Sequence, residues 1–105
     1  MVLALADDLT GALEVGAKFA GAGIASLVTT RLAVVPGDVL VIDTETRHLP
    51  AAEAWRRVFH IASSARASLV YKKTDSTLRG NIGAELEAVT VANPGALLHY
   101  APAYP

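Results

Sequence analysis

Three apolar runs in this chain each end abruptly in a dense polar turn. Met1–Ala6 gives way to Asp7-Asp8-Leu9-Thr10-Gly11, Val39–Ile42 to Asp43-Thr44-Glu45-Thr46-Arg47-His48, and Ser68–Lys73 to Thr74-Asp75-Ser76-Thr77-Leu78-Arg79-Gly80-Asn81. After each turn apolar residues return at three- and four-residue steps, the spacing of an amphipathic helix. Strand, polar turn and helix repeated in this order specify an α/β sheet with helices on its faces. In an open parallel sheet, ligands bind beyond the carboxyl ends of the strands. The three turns fall there, so they imply one binding crevice.

The elements follow from the same patterning. Leu9, Ala12, Leu13, Gly16, Ala17 and Ala20 make a first helix, with Asp8 or Thr10 as its cap and Gly21 and Gly23 marking its end. Small residues on its inner face allow it to lie close to a sheet. Ile24–Thr29 reads as the second strand, Pro36-Gly37 as a turn, and Val39–Ile42 as the third strand. The link between them, about Thr30 to Asp38, is too short for a full helical crossover. Pro50 opens a second helix through Ala51, Ala54, Trp55, Val58, Phe59, Ala62 and Ala65. Ile82, Leu86 and Val89 define a third, Asn93-Pro94-Gly95 breaks it, and Ala96–Ala101 reads as a fifth strand. The expectation is an α/β fold with an open, mostly parallel five-stranded sheet, Rossmann-like or flavodoxin-like. Trp55, Phe59 and Tyr71 are expected in its core.

At 105 residues the chain is a single domain, long enough to bury roughly 60–70% of its extended surface. Hydrophobic residues form 52% of it and charged residues 18%, a balance that suits buried parallel strands and excludes disorder. A net charge of −1 gives no broad attraction to nucleic acid or membrane surfaces. With no cysteines, disulfides, thiolate catalysis and cysteine-based zinc sites are excluded. His48, His60 and His99 are too scattered for a zinc-type pair, so no metal ligand is assigned. No apolar run approaches about 18 residues and no basic segment precedes the first one, which makes a cytoplasmic protein the default. The chain stops directly after its last apolar run, as a fragment would.

The chemistry of the turns points to a small, polar, anionic ligand. Asp7 and Asp8 alternate in direction, so one of them enters the crevice, where a carboxylate accepts hydrogen bonds or a proton from a hydroxyl. The plain reading of the pair is a helix cap, and the two roles coexist readily on different residues. Lys72 and Lys73 also alternate, one toward solvent and one toward the strand tips. Arg47 and Arg79 offer forked donors to an oxygen pair. Ser76, Thr77 and Asn81 add groups that read a polyol, although Asn81 also suits a helix cap. No Walker-type phosphate loop occurs, and Gly21-Ala22-Gly23 follows a helix where a dinucleotide fingerprint follows a strand.

Together, Ala6-Asp7-Asp8-Leu9-Thr10-Gly11-Ala12, Asp43-Thr44-Glu45-Thr46-Arg47 and the long block from Tyr71 to Leu86 resemble the N-terminal domain of the four-carbon acid sugar kinase family. Ala101-Pro102-Ala103-Tyr104-Pro105 resembles that family's next block. The likeness covers essentially the whole chain in order. It implies that residues 1–105 are the sugar-acid-binding domain of a two-domain enzyme. Such an enzyme phosphorylates the terminal hydroxyl of threonate, erythronate or an oxo-tetronate. ATP and Mg2+ would be held mainly by a C-terminal nucleotide-binding domain, the chain's own partner, with no cofactor on these residues.

Carried over by motif, the substrate contacts are Asp7, Asp8, Arg47, Lys73, Thr74, Asp75, Ser76, Arg79 and Asn81. Arg47 and Lys73 are assigned to the acid's carboxylate, Asp8, Asp75 and Ser76 to its hydroxyls, and Asp8 or Asp75 to the catalytic proton-accepting role. A homodimer is compatible with an exposed sheet edge. Two other readings compete. A response-regulator receiver domain also places acidic residues at Asp7, Asp8 and Asp43, but it needs a lysine where His99-Tyr100 stands. A noncatalytic interaction protein, the sense of the type III effector label carried by some family members, has no residue pattern in its favour.

Overall fold

The computed structural model describes residues 1–31, 38–65, 67–75 and 77–101. In chain order the elements are β1 (Val2–Ala6), α1 (Leu9–Gly21), β2 (Ser26–Thr29), β3 (Val39–Asp43), α2 (Ala51–Ser64), β4 (Leu69–Lys73) and α3 (Ile82–Ala92). The four strands form one parallel sheet in the order β2-β3-β1-β4. Ala6, the last residue of β1, lies beside Asp43 on one side and Lys73 on the other. The chain leaves β1 for the outer strand β2, returns to place β3 between them, and then crosses to β4 on β1's far side. β1 is therefore where the winding changes direction. The three strands that end in polar turns are its centre and its two flanks.

Period-two alternation assigns the faces. Ala4, Ala6, Val39 and Val41 pack under Ala12 and Val15 of α1. Leu3, Leu5, Leu40 and Ile42 point the other way, into a second cluster with Val58, Ile61 and Ala62 of α2 and Ala88 and Val89 of α3. The inner face of α1 is small, and a Cβ on Gly16 would stand 2.6 Å from Val28 Cγ2, so this helix rides close to β2 as its composition predicts. Trp55 and Phe59 stack at 5.0 Å between ring centres and pack against the second cluster.

Two expectations need correction. The sheet has four strands, and Ala96–Ala101 forms none among the described residues. Its apolar run satisfies the strand pattern, but a strand is stabilised by cross-strand and covering neighbours, and here Leu97 and Leu98 lie exposed. Tyr71 is also exposed, because it shares β4's α1-side face and α1 is centred over the other strands. Lys72, whose face is the α2/α3 side, is buried, with only 6% of its side chain exposed. The Pro36-Gly37 turn and Pro102–Pro105 lie outside the described residues.

Candidate functional site

Because β3, β1 and β4 are adjacent and parallel, their three following turns meet at one sheet edge, and Arg47 is where they join. Its Nε and Nη2 donate to the two oxygens of Asp7 at 3.2 and 3.1 Å, a forked pair. Its Nη1 lies 3.0 Å from Asp8 Oδ2, and Nη2 also lies 3.3 Å from Asp75 Oδ1. One guanidinium thus joins two carboxylates from the first turn and one from the third. Hydrogen bonding to Asp7 and the surrounding carboxylates raise its already high pKa.

Each turn is built by local chemistry. Asp8 is the cap of α1, its Oδ1 accepting from Gly11 N at 2.9 Å, so capping and contact with Arg47 fall on one residue. The backbone oxygen of Asp7 accepts from the amides of Thr46 and Arg47. Asp43 Oδ1 accepts from Glu45 N at 2.9 Å and stabilises Glu45 at φ +54°, a left-handed kink that turns Arg47 back toward the first turn. Thr44 donates to Ala6 O, and its hydroxyl meets that of Thr46 at 2.7 Å.

In the third turn, Asp75 is the organising residue. Its carboxylate accepts from Thr77 N and Oγ1, from Arg79 N and Nε, and from Arg79 Nη2 at 2.9 Å. The Arg79 side chain, then the Thr77 hydroxyl, hold Asp75 far below the usual carboxylate range. Gly80 follows at φ +92°, with space for no side chain: a Cβ there would sit 2.6 Å from Asp7 Oδ2.

A cavity of about 270 Å³ opens beside this junction. Asp7, Asp8, Asp43 and Glu45 line it together with Arg47 and His48, and Leu9 and Leu49 supply apolar wall. Its size is at the lower edge of the roughly 300–1,000 Å³ usual for small-molecule sites. Asp43 is almost wholly buried, and desolvation pushes its pKa up against the opposing Glu45 amide, with the charges of Glu45, Asp8 and Asp7 adding to the rise.

Of the residues singled out from sequence, Asp7, Asp8 and Arg47 line this cavity, whereas the third turn braces it from behind. Lys73 Nζ folds onto Thr74 O at 2.6 Å and lies 3.9 Å from Glu14 Oε2, on the α1 side. Asn81 occupies the cap position of α3 without capping it. Its amide instead donates to Thr46 O and Leu49 O at 3.1 and 2.8 Å, tying the third turn to the second. Arg79 is exposed over Asp75. Ser76 lies outside the described residues.

Sequence reasoning passed over Asp43, Glu45 and Leu49 as cavity residues, and Glu85 altogether. The signal for Glu85 was its place in the stripe 85-88-89, otherwise apolar, on the buried face of α3. Among the described residues no group of three or more His, Asp or Glu is arranged to hold a metal ion, and no helix is long and apolar enough to cross a membrane.

A parallel sheet with a cavity at the point where its winding reverses makes this an α/β domain with its candidate site where such sheets bind ligands. More particularly, the chain belongs to the family of sugar-binding N-terminal domains, whose pattern matches residues 2–105. It is 40% identical over 111 aligned positions to a D-threonate kinase of Salmonella typhimurium and 38% over 117 to a D-erythronate kinase of Heliobacterium modesticaldum, with 99% of the chain matched in each. The chain spans about a quarter of the length of these relatives (26%). A solved domain of unknown function from Bordetella bronchiseptica, a domain-swapped dimer with bound citrate, superposes with a TM-score of 0.77 at 34% identity. That match takes in 87% of this chain and 25% of the other.

Proposed function

We propose that these residues form the sugar-acid-binding half of a kinase that phosphorylates a four-carbon sugar acid, threonate or erythronate, at its terminal hydroxyl. The observation that carries the reading is the meeting of Asp7, Asp8 and Asp75 on Arg47 at the wall of a cavity sized for a small polyol acid. The names of the relatives and the citrate in the solved neighbour support an anionic, oxygen-rich ligand.

Arg47 would take the ligand's carboxylate, with Lys73 contributing positive charge from the α1 side. Asp7 and Asp8 would accept hydrogen bonds from its hydroxyls. Of the two carboxylates weighed for proton acceptance, the geometry favours Asp8, which lines the cavity, is part-exposed and has one partner on each oxygen, over buried Asp75, which is crowded by Arg79, Thr77 and Arg47. Thr74, Asp75, Arg79 and Asn81 would serve by shaping the third turn.

The glycine pair of the first helix gives no phosphate cradle. Gly21 and Gly23 lie at the C-terminal end of α1, where carbonyls rather than amides are free. ATP and Mg2+ therefore belong, in this proposal, to a further domain, and no step is assigned to them here. The neighbour's dimer supports self-association of two copies. The receiver reading is displaced by family membership and by Arg47, whose guanidinium bridges the acidic pair that would coordinate a cation.

Calorimetric titration of the full-length protein with D-threonate, D-erythronate and the uncharged tetritols tests the proposal. It expects binding of an acid, no binding of a tetritol, and loss of the acid with Arg47→Ala. Equal affinity for acid and tetritol would refute it.

A further inference from the structure

Beneath the third turn lies a second charged pair, which the site above does not use. Lys72 and Glu85 face one another at 3.2 Å between β4 and α3, with 6% and 1% of their side chains exposed. Lys72 and the Thr46 hydroxyl both face Glu85 and favour its charged form, but neither is aligned as a hydrogen bond to its oxygens, so the contact with Lys72 is held as an ion pair. Burial pushes the Glu85 pKa up, and the Lys72 charge opposes that rise. Lys72 also donates from Nζ to Lys73 O at 2.8 Å, at the residue where β4 ends and the turn begins. On stability alone, two apolar side chains would serve as well or better at such a position. What the ion pair adds is a fixed donor at the strand end.

The geometry points to Lys72 and Glu85 as positioning residues of the sugar-acid site: Glu85 anchors the Lys72 ammonium, and the ammonium fixes the Lys73 carbonyl from which the turn to Asp75 departs. This rests on the function proposed above. The chain of contacts is short. Lys73 packs its stem beside Gly11 in the first turn of α1 and brings its ammonium within 3.9 Å of Glu14, and Asp75, two residues on, lies 3.3 Å from Arg47. Releasing the Lys73 carbonyl lets both side chains shift, and displacement of about 1 Å at a positioned group costs up to about 100-fold in function.

The test is acid titration of the full-length protein carrying Lys72→Met with Glu85→Leu, alongside its thermal melt. The apolar pair should keep the melting temperature at or above that of the parent while acid affinity falls about ten-fold or more. A folded double variant that binds the acid within about two-fold of the parent overturns the inference and leaves the proposed function standing. Failure of the unmodified protein to bind any four-carbon acid would instead remove the functional reading. Should the double variant not fold, Lys72→Arg decides. It keeps the charge opposite Glu85 but moves the donor off the Lys73 carbonyl, so a native melt with ten-fold weaker binding supports positioning, and unchanged binding refutes it.

Discussion

Replacing Gly80 by alanine asks whether the third turn presses against Asp7 as closely as the structure has it. Two costs are expected. The backbone sits at φ +92°, where an L side chain is strained by about 1–2 kcal/mol. The new Cβ would also lie 2.6 Å from Asp7 Oδ2, and this oxygen cannot swing away freely because Arg47 Nε grips it at 3.2 Å. Overpacking of this kind costs about 1–3 kcal/mol, which brings the total to about 2–5 kcal/mol. For a domain of this size that lowers the melting temperature by roughly 10–30 °C. Gly95→Ala is the control, since Gly95 has φ +84° but nothing within 4 Å of its Cβ. It should lose only the backbone part. The assay is urea unfolding of both variants beside the parent. If the two glycines cost the same, the clash with Asp7 does not exist and the packing of the three turns on Arg47 is misplaced.

Asp43→Asn should stabilise the protein at pH 7. Burial raises the Asp43 pKa above its unfolded value of about 3.9, so its favourable contribution is complete below that value and is lost as pH rises through the folded pKa. Asn keeps the oxygen that accepts from Glu45 N, and melts from pH 3 to 8 should show a gain that grows with pH; a gain largest at pH 3 would refute the assignment. Gly16→Ala should destabilise by about 1–3 kcal/mol through contact with Val28, while Gly21→Ala on the same helix, with nothing near its Cβ, should not destabilise and gains up to about 1 kcal/mol. Equal effects in urea titrations would mean that α1 stands farther from β2 than described.

What could be read from the chain follows a physical divide. The three strand-turn-helix units were legible because period-two and 3.6-residue patterns are local, and a parallel sheet then forces the turns after β3, β1 and β4 to one edge. Asp8 as a cap and Arg47 as a forked donor follow from residue type and place. The failures concern what lies across from a residue. Among the described residues, Ala96–Ala101 has a strand's composition but no strand beside it, and Tyr71 has a core residue's pattern but lies exposed. The three protein carboxylates around Arg47 were likewise out of reach, because they come from two other turns that only the sheet brings together. Which lysine of the Lys72-Lys73 pair turns inward was not legible, because the partner of Lys72, Glu85, is thirteen positions away and meets it only through the docking of α3.

The shared guanidinium at Arg47 has a consequence for altering this protein's choice of ligand. Asp7 and Asp8 in the first loop rely on a cation supplied by the second, and Asp75 in the third shares that cation with Arg79, so exchanging the second loop without its arginine would strand the first loop's two carboxylates. A ligand preference built on these loops would have to be transplanted together with Arg47 and its partners.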